Sequence, residues 1–244
     1  MVLAVSCQKD NVRVPKEAVD LGIVMTREDG TTYKLYWAKS NLCEDGLCAN
    51  PEDYGDYYAW GETAPYYSSQ SPLTWKNGKS AGYNWASYKW CNGSSTTLTK
   101  YNTTEFKGAV DNITELQRGE KPGETVDDAA RQALGGKWRI PTKAEWMELI
   151  NNCTWPWVEN YKGSGINGRL VTATNGNSIF LPAAGYRYDT NLGDAGSRGF
   201  YWSSSLNTDF PLNAWDVGLY SDLNYGDGYG YRSYGRSVRP VYED

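Results

Sequence analysis

Residues 185–241 constrain this chain more than any other stretch. The segment contains two runs that read as buried strand, Gly199-Phe-Tyr-Trp-Ser-Ser-Ser205 and Gly235-Arg-Ser-Val-Arg-Pro-Val241. Between them Tyr220, Tyr225, Tyr229, Tyr231 and Tyr234 alternate with Asp216, Asp222 and Asp227, and with Gly218, Gly226, Gly228 and Gly230. A packed interior has no use for that mixture. Tyr brings stiff contact area with a polar tip, while Gly and Asp bring turns and adaptable hydrogen bonds, which is the composition of binding loops. The last Lys is Lys162, so the segment also omits a side chain with much rotamer entropy to lose on binding. A Tyr/Gly hairpin held by cross-strand aromatic pairs is the purely structural alternative.

The rest of the composition narrows the class. A chain of 244 residues can bury a core as one large domain or two small ones. It has 11 Trp and 20 Tyr beside only 4 Phe and 3 Met. Because Tyr and Trp bury a ring and keep a polar atom wet, an aromatic-lined, loop-rich body is expected. The net charge of −5 and the lack of a basic stripe argue against nucleic acid and against electrostatic binding to anionic lipid. No apolar run is long enough to span a membrane as a helix. His is absent, which removes the commonest general acid/base and metal ligand.

Taken in order, the chain opens with Leu3-Ala-Val-Ser-Cys7 and a polar stretch, Gln8-Lys-Asp-Asn11. An apolar run with a small residue before Cys is similar to the lipobox of bacterial lipoproteins, which implies lipid on Cys7 and a tether over residues 1–17. Residues 18–39 read as strand, Glu28-Asp-Gly30 turn, strand. Cys43 and Cys48 flank another turn and suit a small-loop disulfide; a zinc pair is the weaker alternative without His or a second CxxC. Cys91 and Cys153 remain as a possible second pair. Residues 50–125 read as irregular structure pinned by Tyr57, Tyr58, Trp60, Trp85, Tyr88 and Trp90. Two short helices follow. One has a capping-box-like start at Thr125 and a stop at Gly135-Gly136; the other has a capping box, Thr142 to Glu145, and an apolar face of Trp146, Leu149 and Ile150. After them come strands and turns only, including a hairpin about Thr174-Asn-Gly-Asn177. No linker composition divides residues 18–244, so a single α+β domain is expected.

Several runs, in this order, carry a family resemblance: Ala18-Val-Asp-Leu-Gly22, Tyr58-Ala-Trp-Gly-Glu62, Gly136-Lys-Trp-Arg-Ile-Pro-Thr-Lys-Ala-Glu-Trp146, Ile179-Phe-Leu-Pro-Ala-Ala-Gly-Tyr186, Gly199-Phe-Tyr-Trp-Ser-Ser-Ser205 and Arg236-Ser-Val-Arg-Pro-Val241. Together they resemble a family of bacterial cell-surface lipoproteins with a C-type-lectin-like fold. That fold is shared with formylglycine-generating enzymes and with the variable proteins of diversity-generating retroelements. The resemblance implies two short helices, small antiparallel sheets, long loops and an exported, outer-membrane lipoprotein. In the variable proteins a C-terminal segment is rewritten at template adenines, so that Asn codons become Tyr, Asp, Ser, Gly, Phe or Leu. Residues 200–241 fit such a segment. Asp209, Phe210, Leu212, Asp216, Gly218, Tyr220, Asp222, Tyr225, Asp227, Tyr229, Tyr231 and Tyr234 are all reachable in that way, among residues such as Trp202 and Val238 that read as scaffold. With Trp215 they form the expected ligand-binding set. Phe210, Trp215 and the five Tyr would anchor a protein or glycan partner, and Asp216, Asp222 and Asp227 would favour partners bearing Arg or Lys.

Other chemistry fits less well. The Glu-Pro-Asn and Trp-Asn-Asp motifs of calcium-dependent lectins are missing, since Pro211 lies in Phe210-Pro-Leu212 and Trp215 is followed by Asp216. No late Cys pair exists for formylglycine chemistry. Ser203-Ser-Ser205 has no His partner, Asp127-Asp128 reads as a helix start, and Gly163–Gly168 reads as a turn. The expectation is a monomeric binding protein without metal, cofactor or catalytic step, attached to membrane only by lipid. A fixed-specificity adhesin or glycan-binding lipoprotein of the same fold is the alternative, and a carbohydrate-active enzyme the more distant one.

Overall fold

The computed structural model describes residues 14–222 and 224–244, the side chains of 224–227 excepted. Cys7 and the expected lipobox lie outside the described residues.

β1 (Ala18–Thr26) and β2 (Thr32–Ala38) form the expected hairpin. Its turn is closed by Asp29, whose carboxylate accepts from the Thr31 amide at 2.9 Å and hydroxyl at 2.6 Å, the Asx pattern that suits Asp there. The two-residue strands β3 (Leu42–Cys43) and β4 (Gly46–Leu47) follow, closed by a Cys43–Cys48 disulfide. From there to residue 128 the only paired strands are the short hairpin β5 (Tyr67–Gln70) and β6 (Leu73–Trp75). The helical part is α1 (Ala129–Leu134), β7 (Trp138–Arg139) and α2 (Lys143–Asn152). Next come β8 (Cys153–Thr154), β9 (Trp157–Val158), β10 (Gly168–Ala173), β11 (Ser178–Pro182), β12 (Tyr186–Tyr188) and β13 (Asn191–Gly193). The chain ends with β14 (Gly199–Leu206), β15 (Asn213–Leu219), β16 (Asn224–Tyr231) and β17 (Val241–Glu243).

The class is α+β, with two α-helices and several small antiparallel sheets among the described residues. One sheet has the order β1-β2-β17-β7, so the first and last strands of the described chain share it. A second runs β11-β10-β8, with β9 also on β10, and a third runs β14-β15-β16. The main core lies where these meet α2. Leu35 and Trp37 of β2, Trp146 and Leu149 of α2, Val217 and Leu219 of β15 and Val241 of β17 are all buried there. Alternation along β2 and β15 and the i, i+3 spacing on α2 select those residues. Trp37 and Trp146 lie 4.6 Å apart.

The α2 capping box forms as the sequence predicts, with Thr142 Oγ1 accepting from the Glu145 amide and Glu145 accepting from the Thr142 amide. Glu145 is also held by Arg139 and by the Tyr33 hydroxyl at 2.7 Å. The start of α1 differs from expectation. Asp128 caps it, accepting from the Arg131 amide at 3.0 Å. Thr125 instead donates to Asp127, a buried carboxylate that Lys100 and Tyr101 also hold. Cys91 and Cys153 are both free. Cys91 sits in the aromatic layer with Tyr57 and Tyr83, whereas Cys153 packs against the main core, so the expected second pair does not form. The Gly235–Val241 run is buried but is not a continuous strand. It makes single bridges from Gly235 to Arg187, Arg236 to Tyr58 and Ser237 to Tyr201, and regular pairing begins only at Val241.

Between residues 50 and 125, phenols and indoles replace the missing strand ladders. The Tyr83 hydroxyl donates to Tyr57 O at 2.5 Å and the Tyr88 hydroxyl to Trp60 O at 2.7 Å. Trp60 Nε1 donates to Ser203 O and Trp202 Nε1 to Tyr58 O, each at 2.8 Å, which locks this loop region to β14. Buried carbonyls need such donors wherever no strand supplies them.

Burial raises the Tyr57, Tyr66, Tyr83, Tyr88 and Tyr101 phenols above their ordinary 10.0. The folded state therefore favours neutral phenols. That stability is complete below about pH 10, where unfolded Tyr is also neutral, and is lost as the pH rises further. The expected result is a single cooperative alkaline transition above pH about 10, with tyrosinate absorbance and loss of circular dichroism moving together. Independent phenol titration near that pH with the fold intact would contradict it.

Candidate ligand-binding surface

The third sheet presents the site. Its core side is fixed by Tyr201 of β14 and by Val217 and Leu219 of β15, while Trp202 is buried on the other side of β14 with Tyr58 and Trp60. β16 pairs with β15 by placing Tyr231 opposite Asn213, Tyr229 opposite Trp215, Gly230 opposite Ala214 and Gly228 opposite Asp216. Strand alternation thus gives Tyr at one set of positions and Gly at the other. Phe210, Tyr229 and Tyr231 are 56%, 52% and 45% exposed, which is high for rings of that size.

These rings belong to two groups of ring contacts, which Tyr229 and Tyr231 bring to the edge of one depression. Phe210, from the β14–β15 connection, lies nearly parallel to Tyr229 at 6.1 Å, and Tyr229 meets the edge of Trp215 at 5.9 Å. Tyr231 touches Tyr234 at 5.5 Å and Trp85 at 6.1 Å. Tyr234 stacks on Tyr186 at 5.7 Å, and Tyr186 meets Tyr188 and Phe200. Phe200 packs on Tyr220, over which lies the Arg198 guanidinium at 5.2 Å. Such contacts rigidify the rings before any ligand arrives, which lowers the ordering cost of binding.

The expected residues divide into groups. Phe210, Trp215, Tyr220, Tyr229, Tyr231 and Tyr234 are brought together, and Asp209 and Asp222 are exposed. The backbones of Tyr225 and Asp227 lie in β16, while their side chains lie outside the described residues. Leu212 is half-buried against the Tyr57 and Tyr83 cluster, and its carbonyl accepts from the Arg232 amide. Gly218 is buried, and a Cβ there would come within 2.8 Å of the Tyr220 ring. Asp216 is not part of an exposed acidic rim. It is 3% exposed and forms an ion pair with Arg236, so it does not face a basic partner directly.

The sequence reading missed Trp85, Tyr186, Tyr188, Arg198 and Phe200 as members of this surface. Tyr186 and Tyr188 carried a usable signal, because residues two apart in a strand share a side. Nor is the surface free of Lys. Lys143, at the start of α2, places Nζ 3.1 Å from the centre of the Trp215 ring.

Two shallow depressions of about 410 Å³ each meet over Arg198, Phe200 and Tyr229. Asp216 and Tyr220 line one; Arg236, Tyr186 and Tyr234 line the other. Burial raises the Tyr186 and Tyr234 phenols, with Asp194 reinforcing the effect on Tyr186, so both are neutral hydroxyl donors at neutral pH. A larger depression, about 580 Å³, lies elsewhere, beside the Cys43–Cys48 disulfide and Tyr54. Among the described residues no group of three or more His, Cys, Asp or Glu is arranged to hold a metal ion, and no helix is long and apolar enough to cross a membrane.

A family model described as a domain of unknown function (DUF8237) matches residues 156–241. The matched span runs from just before β9 into β17 and takes in most of the aromatic surface. No curated protein and no solved structure matches the chain.

The exposed and buried aromatics should respond differently to truncation. Phe210→Ser and Tyr229→Ser are each expected to change stability by under about 0.5 kcal/mol in urea denaturation. Tyr220→Ser should cost more, because its ring packs on Phe200 and covers Gly218. Trp202→Ala should cost about 3–5 kcal/mol. A Tyr229→Ser loss in the Trp202 range would make that ring part of the core.

Proposed function

We propose that this is a ligand-binding protein of the bacterial cell surface, tethered through lipid on Cys7 and contacting a protein or glycan through its C-terminal aromatic surface. The observation that carries the reading is the exposure of Phe210, Tyr229 and Tyr231 in contact with further rings, the two Tyr standing on β16 with Gly228 and Gly230 at the alternate positions. Pre-packed Tyr and Phe with a polar rim are what anchor a binding interface. The scaffold is of C-type-lectin-like type. Its support is the sequence resemblance together with the shared sheet of first and last strands, two short helices and long loops. Residues 200–241 are the segment that retroelement diversification would rewrite. A neighbouring reverse transcriptase gene and a near-repeat of the DNA encoding this segment are the genomic signs expected of it. The protein binds without a chemical step.

A screen of glycan arrays and displayed surface proteins tests the reading. Hits for the intact protein are expected to disappear in the triple variant Phe210→Ser, Tyr229→Ser, Tyr231→Ser, each ring contributing about 2 kcal/mol or more at a desolvated contact. Hits that survive in that variant place the site elsewhere, foremost among the aromatics of residues 54–90. The tether has a separate test. Metabolic labelling with a clickable palmitate should mark the full-length protein in its native host and not Cys7→Ala; equal labelling of both removes the anchor.

A further inference from the structure

Beneath the two depressions lies an ion pair that no exposed-surface reading includes. Arg236 and Asp216 are 6% and 3% exposed, and Nη1 of Arg236 meets Oδ2 of Asp216. The guanidinium lies 5.0 Å from the centre of the Phe200 ring and 4.5 Å from that of Trp202. Among the described residues neither its Nε and Nη1 nor Asp216 Oδ2 has a hydrogen-bond partner, so the pair is joined by charge contact alone. Main-chain bonding fixes Arg236 in place, because its amide and carbonyl pair with Tyr58. The strand pair leaves room for the two charges by having no side chains there. A Cβ on Gly228 would lie 2.6 Å from Asp216 Oδ1, and one on Gly230 would collide with the Arg236 guanidinium.

Arg236 lines one depression and Asp216 the other. A buried guanidinium needs a counter-charge or several acceptors. Here the counter-charge comes from within the binding surface itself. Its side chain is short, and the groups that would surround any replacement are already fixed: the planar fork of Arg236, the faces of Phe200 and Trp202, and bare glycine backbone.

We propose that Asp216 is a specificity-determining residue of this surface, an internal carboxylate filling a guanidinium socket that otherwise takes a carboxylate from the ligand. In this chain the socket is neutralised, so acidic ligands gain nothing there, and neutral or basic ones are favoured. With a smaller uncharged residue at position 216, the same floor binds acidic saccharides or acidic peptide side chains. This inference rests on the ligand-binding reading for its biological meaning, but the socket can be tested without any ligand of the surface.

The test is chemical rescue. Asp216→Ala removes the carboxylate, and formate supplies it back. The variant is expected to melt below the intact protein in chloride buffer and to regain about 3 °C or more in saturating formate at equal ionic strength. The intact protein and the double variant Asp216→Ala, Arg236→Met should respond alike to the two salts. If Asp216→Ala does not fold in chloride, its refolding yield in formate against chloride is read instead. Equal melting or equal yield in the two salts overturns the proposal, as does a formate response that persists without Arg236. On a glycan array, Asp216→Ala should gain carboxylated saccharides that the intact protein ignores, and the absence of that gain refutes the specificity role. A positive formate response with blank arrays for both proteins sinks the binding-surface reading and leaves the socket standing.

Discussion

Arginine side chains buried among main-chain carbonyls hold this fold together. Arg239 is fully enclosed and donates to Ala38 O at 3.0 Å, Phe180 O at 2.7 Å and Asn41 Oδ1 at 2.9 Å, tying the end of β2 and the middle of β11 to the C-terminal run. Arg232, also enclosed, donates to Tyr101 O at 2.6 Å and lies against the rings of Trp60 and Tyr88. Arg169 reaches Trp155 O and Tyr220 O. Burying a charge without partners costs several kcal/mol. Convergent carbonyl dipoles and aromatic faces offset that cost, and the planar fork of Arg meets them in a way the point charge of Lys cannot. The demand comes from the loops. A chain with so much irregular backbone leaves carbonyls that no strand partner satisfies, and each must find a donor.

That arrangement determines what the binding sheet can be. β14 is clamped from the loop side by Trp60 and Trp202 and from the helix side by Trp146, whose indole donates to Trp202 O at 3.2 Å. β14 and β15 take their rigidity from beneath, and the large described side chains of β16, Tyr229 and Tyr231, are half exposed and add little to that core. The described residues of β16 present Tyr at alternate positions and Gly between them. The contacts that fix β14 and β15 are made elsewhere, so replacing the exposed rings should disturb the sheet little.

Much of the local structure was legible in the sequence, because it depends on neighbours in the chain. The α2 capping box, the β1–β2 and β10–β11 hairpins and the small disulfide loop all follow from residues a few positions apart. What was hidden depends on distant partners. Asp216 reads like Asp222 in composition, and only Arg236 and the glycines opposite it make one buried and the other exposed. Cys91 and Cys153 look like a pair until the aromatic layer and the main core separate them. Asp128 caps α1 in place of Thr125 because the helix starts at Ala129, and the Thr125 hydroxyl donates to Asp127, which Lys100 and Tyr101 hold from further along the chain.

The aromatic surface therefore divides into positions that can change and positions that cannot, and the division does not follow exposure alone. Phe210, Tyr229 and Tyr231 project from the backbone, and replacing an exposed ring disturbs little beneath it. Gly228 and Gly230 lie on the same strand yet lie against Asp216 and Arg236, so any side chain there must displace a buried charge. Gly218 is limited in the same way by the Tyr220 ring. Residue 216 stands between the two groups. Its side chain is buried against Arg236 and lines one of the two depressions, while Arg236 lines the other, so its removal would cost stability and would leave the guanidinium facing the surface. A change of charge at position 216 therefore differs from one at exposed Asp209 or Asp222, because it leaves the buried Arg236 guanidinium without its carboxylate.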